Sequence, residues 1–224
     1  MSQQRINILM VDDHPIILEG YQNVLMATKK DDYEYLIHTA NTCDAANHLL
    51  QRSVNDNPYD VCFFDISLPA SEDGTINSGE DLALITRDLL PDSKIIILTM
   101  FNESFRIHNI IKAINPEGFL IKSDLTSYEL AEAFQHVLTS PPYYSSTVSN
   151  FLKRSVTSKV YVDDINRQIL HLLSQGIKTR SFTEYIDLSM SAIEKRKKQL
   201  KLLFGVEDGK DETLLKEAKD KGFL

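Results

Sequence analysis

Carboxylates, a hydroxyl and an amine recur in this chain at one kind of place, the point where a short apolar run stops. Ile6–Val11 is followed by Asp12 and Asp13, Val61–Phe64 by Asp65, Lys94–Leu98 by Thr99, and Gly118–Ile121 by Lys122. Three carboxylates held close together repel one another, which calls for a bound cation. Oxygen-only ligands favour Mg²⁺, with Mn²⁺ as the alternative, over zinc. A lysine and a hydroxyl beside them suit a phosphoryl group: the lysine neutralises its charge and the hydroxyl donates a hydrogen bond. In that chemistry Asp65 is the nucleophile and its product is an acyl phosphate. Taken singly, each residue has a plainer explanation, since an Asp after a strand commonly caps a helix or forms a turn. The specificity lies in all four run ends carrying a suitable type in this order.

Those residues converge only if the runs are neighbouring parallel strands. The pattern fits: Ile6–Val11, Tyr35–Ala40, Val61–Phe64, Lys94–Leu98 and Gly118–Ile121 read as strands. Helical spacing appears between and after them at Pro15–Met26, Asp44–Arg52 (with Asp44 as N-cap), Glu80–Leu90, Ser104–Ile114 and Ser127–Leu138. Near-continuous apolar strands alternating with helices predict a five-stranded, doubly wound parallel α/β sheet covered on both faces. Its functional crevice lies at the carboxyl ends of the strands.

Composition agrees with a globular chain: 42% of the 224 residues are hydrophobic and 25% charged. That excludes a disordered or disulfide-rich protein. No run is long enough for a membrane span, and the polar start at Met1–Arg5 leads straight into a strand, so a cytoplasmic protein without a secretory signal is expected. Cys43 and Cys62 have no metal-ligand spacing, and Cys62 reads as a buried thiol.

The segments Val11-Asp12-Asp13-His14-Pro15, Phe64-Asp65-Ile66-Ser67-Leu68-Pro69, Leu98-Thr99 and Phe119-Leu120-Ile121-Lys122 resemble the receiver domain of two-component response regulators, a flavodoxin-like fold, over about residues 5–138. The resemblance implies that Asp65 accepts a phosphoryl group from a sensor histidine kinase. It implies that Asp13 binds Mg²⁺ directly, Asp12 through water, Asp65 as a further ligand and Ser67 through its main-chain carbonyl. Thr99 and Lys122 then hold the phosphoryl oxygens, and Thr99 and Phe119 form the switch. Three departures stand out: the long loop Ala70–Ser78, the bulky Met100 after Thr99, and the turn Asn115–Gly118.

The formal net charge of −8 conceals a split, −12 over residues 1–150 and +4 over 151–224. Residues 139–162, with Pro141-Pro142 and many serines, read as a linker in which a short helix at Val148–Lys153 is possible. From residue 163 to 224 the pattern is helical: Ile165–Ser174, Thr179–Ile186, Ser189–Phe204 and Glu212–Lys221. A short helix, a turn at Asp187-Leu188 and the basic helix from Ser189 form a helix-turn-helix pattern. Ile169–Gly176, Leu188-Ser189, Ile193 and Gly205-Val206 resemble the four-helix NarL/LuxR-type output domain. That resemblance implies double-stranded DNA as partner, with Glu194, Lys195 and Lys198 facing bases, Arg196 on the same basic surface, and Lys178 and Arg180 near the backbone. It also implies a homodimer when phosphorylated or on DNA.

The expected divisions are a receiver at 1–138, a linker at 139–162 and a helix-turn-helix domain at 163–224. The expected function is a phosphorylation-activated transcriptional regulator rather than an enzyme, with no membrane partner. Two rivals remain. One is a receiver whose divergent helical domain binds protein instead of DNA. The other is a phosphatase of the haloacid dehalogenase type, which ranks low because that family places an Asp-x-Asp pair on the first strand and this chain has adjacent Asp12-Asp13.

Overall fold

The computed structural model describes residues 3–101, 103–157 and 162–224, with the side chains of 155–157 excluded. Residues 158–161 of the expected linker therefore lie outside the described residues. The chain forms two compact units, residues 1–102 with 109–148 and residues 103–108 with 149–224.

The first unit is built on strands β1 (Gln4–Val11), β2 (Tyr33–Ala40), β3 (Val61–Asp65), β4 (Lys94–Thr99), β5 (Gly118–Ile121) and β6 (Tyr143–Tyr144). All pairings are parallel, in the order β2-β1-β3-β4-β5-β6. Helices α1 (Pro15–Ala27), α2 (Cys43–Ser53), α3 (Gly79–Leu89), α4 (Ser104–Ile114) and α5 (Ser127–Thr139) connect them. Alternation along each strand gives the sheet two apolar faces. Ile6, Ile8, Met10, Phe63, Ile96, Leu98 and Leu120 pack with Leu18 and Leu25 of α1 and Phe134 and Val137 of α5. The intervening Leu9, Val11, Cys62, Phe64, Ile97, Phe119 and Ile121 are also fully buried. Burial pushes the Cys62 thiol up.

Among the described residues the sheet has six strands, not five. The Tyr143 N–H donates to the Glu117 carbonyl at 2.9 Å and the Ser145 N–H to the Phe119 carbonyl at 3.0 Å, so two residues cover the β5 edge. A two-residue strand carries no alternation for a sequence reading to detect. The cap of α2 also differs: Thr42 accepts the Ala45 N–H, and Asp44 sits in the first turn, where the helix dipole favours it.

Two sequence departures have structural explanations. The turn Asn115–Gly118 is held by Arg87, whose guanidinium donates to the carbonyls of Ile114, Ser93 and Asn115 and to Glu117 Oε2. Glu117 Oε2 also accepts the Ile95 N–H at 2.7 Å, tying α3 to β4 and the start of β5. The loop 70–78 closes on itself rather than trailing in solvent. The Ser71 N–H donates to the Ile76 carbonyl at 2.7 Å, Ile76 is buried, and Asp73 accepts from Ser71 and Thr75.

In the second unit α6 (Ser146–Thr157), which begins in the first, is followed by α7 (Asp164–Ser174), a 3₁₀ turn (Thr179–Glu184), α8 (Met190–Phe204) and α9 (Asp211–Asp220). Asp163 caps α7 and Ser189 caps α8, each accepting an N–H three residues on. Gly205, at φ 73°, ends α8 in the left-handed region, with the Val206 N–H reaching back to the Lys201 carbonyl. Leu170, Phe182, Ile193, Leu200, Phe204, Leu214 and Phe223 form its core. The expected helix Thr179–Ile186 is instead the 3₁₀ turn. Six residues containing Ser181 and Thr183 have little helix-forming tendency of their own, and the buried Phe182 anchors them. Among the described residues no helix is long and apolar enough to cross a membrane.

Candidate functional site

Register brings the strand ends together. Val11 pairs with Phe64, Asp65 with Leu98 and Thr99 with Ile121, so Asp12, Thr99 and Lys122 fall along one edge with Asp65. Adjacent strands lie ~4.8 Å apart, which is side-chain reach. The edge includes β1 and β3, where the strand order reverses and open α/β sheets bind their ligands.

Lys122 is the centre of the cluster. Its ammonium, with 9% of the side chain exposed, donates to Asp12 Oδ2 at 2.7 Å and to Asp65 Oδ2 at 2.8 Å. Burial works to lower the Lys122 pKa, but the two carboxylates outweigh it and raise it. Asp12 Oδ1 accepts the His14 N–H at 3.0 Å, and Asp65 Oδ1 accepts the Ser67 N–H at 3.1 Å. Thr99 is buried, and its hydroxyl oxygen accepts the Phe101 N–H at 3.0 Å. Phe119 is fully buried, paired in register with Ile97 on one side and Tyr144 on the other. Met100 is 63% exposed beside this edge.

Three carboxylates against one ammonium leave the pocket electron-rich. One ligand atom each from Asp12, Asp13 and His14 lie within 4.8 Å of one another. The Asp13 Oδ1 atom is buried, and although His14 Nδ1 approaches to 2.7 Å, the directions do not make a hydrogen bond. Carboxylate oxygens in excess of the cationic groups around them are hard donors that fit a divalent cation of the Mg²⁺ class.

Sequence reasoning missed three neighbours. His14 joins the acidic pair. Tyr21 lines a cleft of about 360 Å³ with Met100, Lys122 and Leu130, and burial followed by the Asp12 and Asp65 charges pushes its phenol up. Gly79, the first residue of α3, packs on the phosphoacceptor candidate itself: a Cβ there would stand 1.9 Å from the Asp65 carbonyl oxygen. Only its place at the end of loop 70–78 gave a signal.

Residues 8–134 match the family described as the response regulator receiver domain. The chain belongs to that family. Oxygen regulatory protein NreC of Staphylococcus epidermidis is 24% identical over 205 residues, spanning 86% of this chain and 88% of its own. Transcriptional regulatory protein MctR of Rhizobium johnstonii is 25% identical over 207 residues, spanning 92% and 90%. Among solved structures, RcsB of Salmonella enterica serovar Typhimurium, bound to promoter rprA in the presence of the phosphomimetic BeF3⁻, superposes with a TM-score of 0.60. It shares 20% identity and covers 95% of this chain and 97% of its own, a likeness of fold. The match to both units carries the fold class: a flavodoxin-like receiver followed by a helical domain.

The second unit sorts the basic residues by burial. On α8, Ile193, Lys197, Leu200 and Phe204 face the core, while Glu194, Lys195 and Lys198 are exposed. Lys178 and Arg180 are exposed at the 3₁₀ turn. Arg196 is engaged within the unit, donating to Asp163 Oδ2 at 2.8 Å and Asn166 Oδ1 at 3.2 Å. Lys197, only 8% exposed, donates to Thr179 Oγ1 and Asp211 Oδ2, both at 2.8 Å. It pins the 3₁₀ turn and the start of α9 to α8.

Proposed function

We propose that this chain is a cytoplasmic, phosphorylation-activated transcriptional response regulator, and that Asp65 is its phosphoacceptor. The observation that supports this best is the buried Asp65 carboxylate, held between the Ser67 N–H and the Lys122 ammonium beside Asp12 and Asp13. Asp65 attacks the phosphorus of a kinase phosphohistidine; a P–O bond forms, the P–N bond breaks and the imidazole leaves with the electron pair. Asp13 and Asp65 would hold Mg²⁺ directly, with Asp12 and the Ser67 carbonyl completing the set. When bound, the ion offsets charge on the transferring phosphoryl oxygens. Lys122 moves from the carboxylates to a phosphoryl oxygen, and Thr99, whose hydroxyl proton is available, donates to another. That transfer of partners biases Thr99 and Phe119 between two arrangements.

The exposed set Lys178, Arg180, Glu194, Lys195 and Lys198 forms the DNA-facing surface, and the +4 balance of residues 151–224 supports it. Arg196 contributes by fixing α8 on α7 rather than by reaching bases. NreC and MctR are named as regulatory proteins, RcsB is seen on promoter DNA, and a related structure holds two RcsB dimers on two parallel DNAs, which supports the same reading, with a homodimer on DNA. We divide the chain functionally into receiver 1–138, linker 139–162 and output 163–224, the first part of the linker adding β6 to the receiver's sheet. A second reading, a protein-binding output domain, draws on the withdrawal of Arg196 and Lys197 from the surface and on Leu202, 74% exposed on α8.

The test is genome-wide DNA binding by wild type treated with a small acyl phosphate and Mg²⁺, beside Asp65→Asn, with intact mass to follow phosphorylation. Phosphorylated wild type should gain about 80 Da and occupy discrete sites, whereas Asp65→Asn should gain neither. Phosphorylation without any DNA site favours the protein-binding reading.

A further inference from the structure

The turn that carries Lys122 is bolted to the start of α6 by one carboxylate. Lys122, Ser123 and Asp124 form a single 3₁₀ turn directly after β5. Asp124 Oδ2 accepts the Ser145 hydroxyl at 2.7 Å and the Thr147 N–H at 2.9 Å, and Asp124 Oδ1 accepts the Thr147 hydroxyl at 2.9 Å. Ser145 is fully buried, and its Oγ also accepts the Ile121 N–H at 3.2 Å. The backbone on both sides of Lys122 is thus tied to Ser145 and Thr147. Thr147 is the second residue of α6, so its N–H is one that the helix cannot satisfy internally. Asp124 caps α6 from a distant part of the chain, with negative charge at the positive end of the helix dipole. Burial works to raise the Asp124 carboxyl; the hydrogen bonds from Ser145, Thr147 and Ser146 outweigh it and hold it below the usual range.

We propose that Asp124 is a positioning residue that couples the Lys122 side chain to the first turn of α6, so that occupation of the Asp65 pocket changes the stability of that turn. The inference rests on reading Asp65 as the phosphoacceptor. In this proposal the 3₁₀ turn shifts with Lys122 when the ammonium leaves Asp12 and Asp65 for a phosphoryl oxygen, because Ser145 and Asp124 hold the turn close on either side of it. Asp124 is two residues away in that turn and shares its displacement with Ser145 and Thr147. No other carboxylate among the described residues is shown bonding to these two side chains. α6 then continues toward residue 149, where the second unit resumes.

The experiment uses the full chain with beryllofluoride and Mg²⁺. Fluorine NMR reports occupation, and amide hydrogen exchange reports the segment 145–150. In wild type, occupation should change exchange in this segment by at least about fivefold, the lower end of ordinary coupling between two sites. In Asp124→Ala, beryllofluoride should still bind while the bound-to-free exchange ratio falls to about one, because both states open equally. Thr147→Val keeps the side-chain volume, removes one of the bonds to Asp124 and should give an intermediate ratio. A purely structural role would shift exchange in both states and leave the ratio unchanged, overturning the proposal. So would a wild-type segment indifferent to bound beryllofluoride. Failure of wild type to bind beryllofluoride at all would instead sink the phosphoacceptor reading, and this inference with it.

Discussion

Lys122 in the first unit and Lys197 in the second are both shielded lysines bonded to carboxylates, yet they do different work. Lys122 bridges Asp12 and Asp65, two acids that compete for it, at a crevice open to solvent. Lys197 meets one acid, Asp211, and a hydroxyl, Thr179, and both belong to elements it holds in place. The first arrangement has surplus negative charge and can exchange partners; in the second a single carboxylate, Asp211, is shared by Lys197 and Lys201, so no second acid competes for the lysine. Within the same turn of α8, Lys195 and Lys198 have the same chemistry and are exposed. The pattern of partners, not the residue type, separates switch, staple and surface.

The comparison can be broken most strongly at Gly79. Gly79→Ala forces a methyl group into the Asp65 carbonyl, so the chain should lose about 3 kcal/mol or more of stability, read as a lower urea midpoint. Phosphorylation of Asp65 by an acyl phosphate should fall with it. An unchanged midpoint would show that α3 slides to relieve the clash and does not fix the acceptor.

Next is the separation of staple from surface. Lys195→Ala with Lys198→Ala should leave the urea midpoint within about 0.5 kcal/mol of wild type. It should lower duplex affinity and reduce the slope of log affinity against log salt by about one for each phosphate no longer neutralised. Lys197→Met should do the reverse: a loss of about 1–2 kcal/mol with the salt slope unchanged. That loss is modest because Asp211 is 38% exposed and keeps Lys201 at 2.6 Å. Equal salt slopes for both variants would mean that Lys195 and Lys198 do not touch DNA.

The smallest effect concerns acid. Burial works to raise the Asp211 carboxyl, but hydrogen bonds from Lys197 and Lys201 hold it below the usual range. A carboxylate depressed in the folded state stabilises above its unfolded pKa, about 3.9, and that stability is lost as pH falls through the lower folded value. Thermal unfolding of wild type should therefore weaken below about pH 4. In Lys197→Met the acid-dependent part of that loss should shrink.

Much of the receiver was legible because each strand is a short apolar run that ends in a residue too polar to continue it. Asp12, Asp65, Thr99 and Lys122 announced themselves by that contrast, and parallel pairing followed from strands with no polar face. Two-residue β6 was not legible, since neither of its tyrosines differs in pattern from a loop. Nor was the role of Glu117, whose partners Arg87 and Ile95 lie far off in sequence. In the second unit the amphipathic spacing of α8 was readable, but Lys197 occupies a core position that its charge disguises. Arg196 gave no sign of its engagement with Asp163.

What the sequence determined by itself is local and periodic: where apolar runs start and stop, and which ionisable types stand at strand ends. These follow from backbone geometry and from the cost of burying polar atoms, both expressed within a few residues. Only the tertiary structure decided which charges meet. Lys122 lies 110 residues from Asp12 and 57 from Asp65, and Asp124 reaches Thr147 across 23. An ionic or hydrogen-bonded pair depends on approach to within about 3 Å, a distance that chain separation does not encode and packing alone fixes.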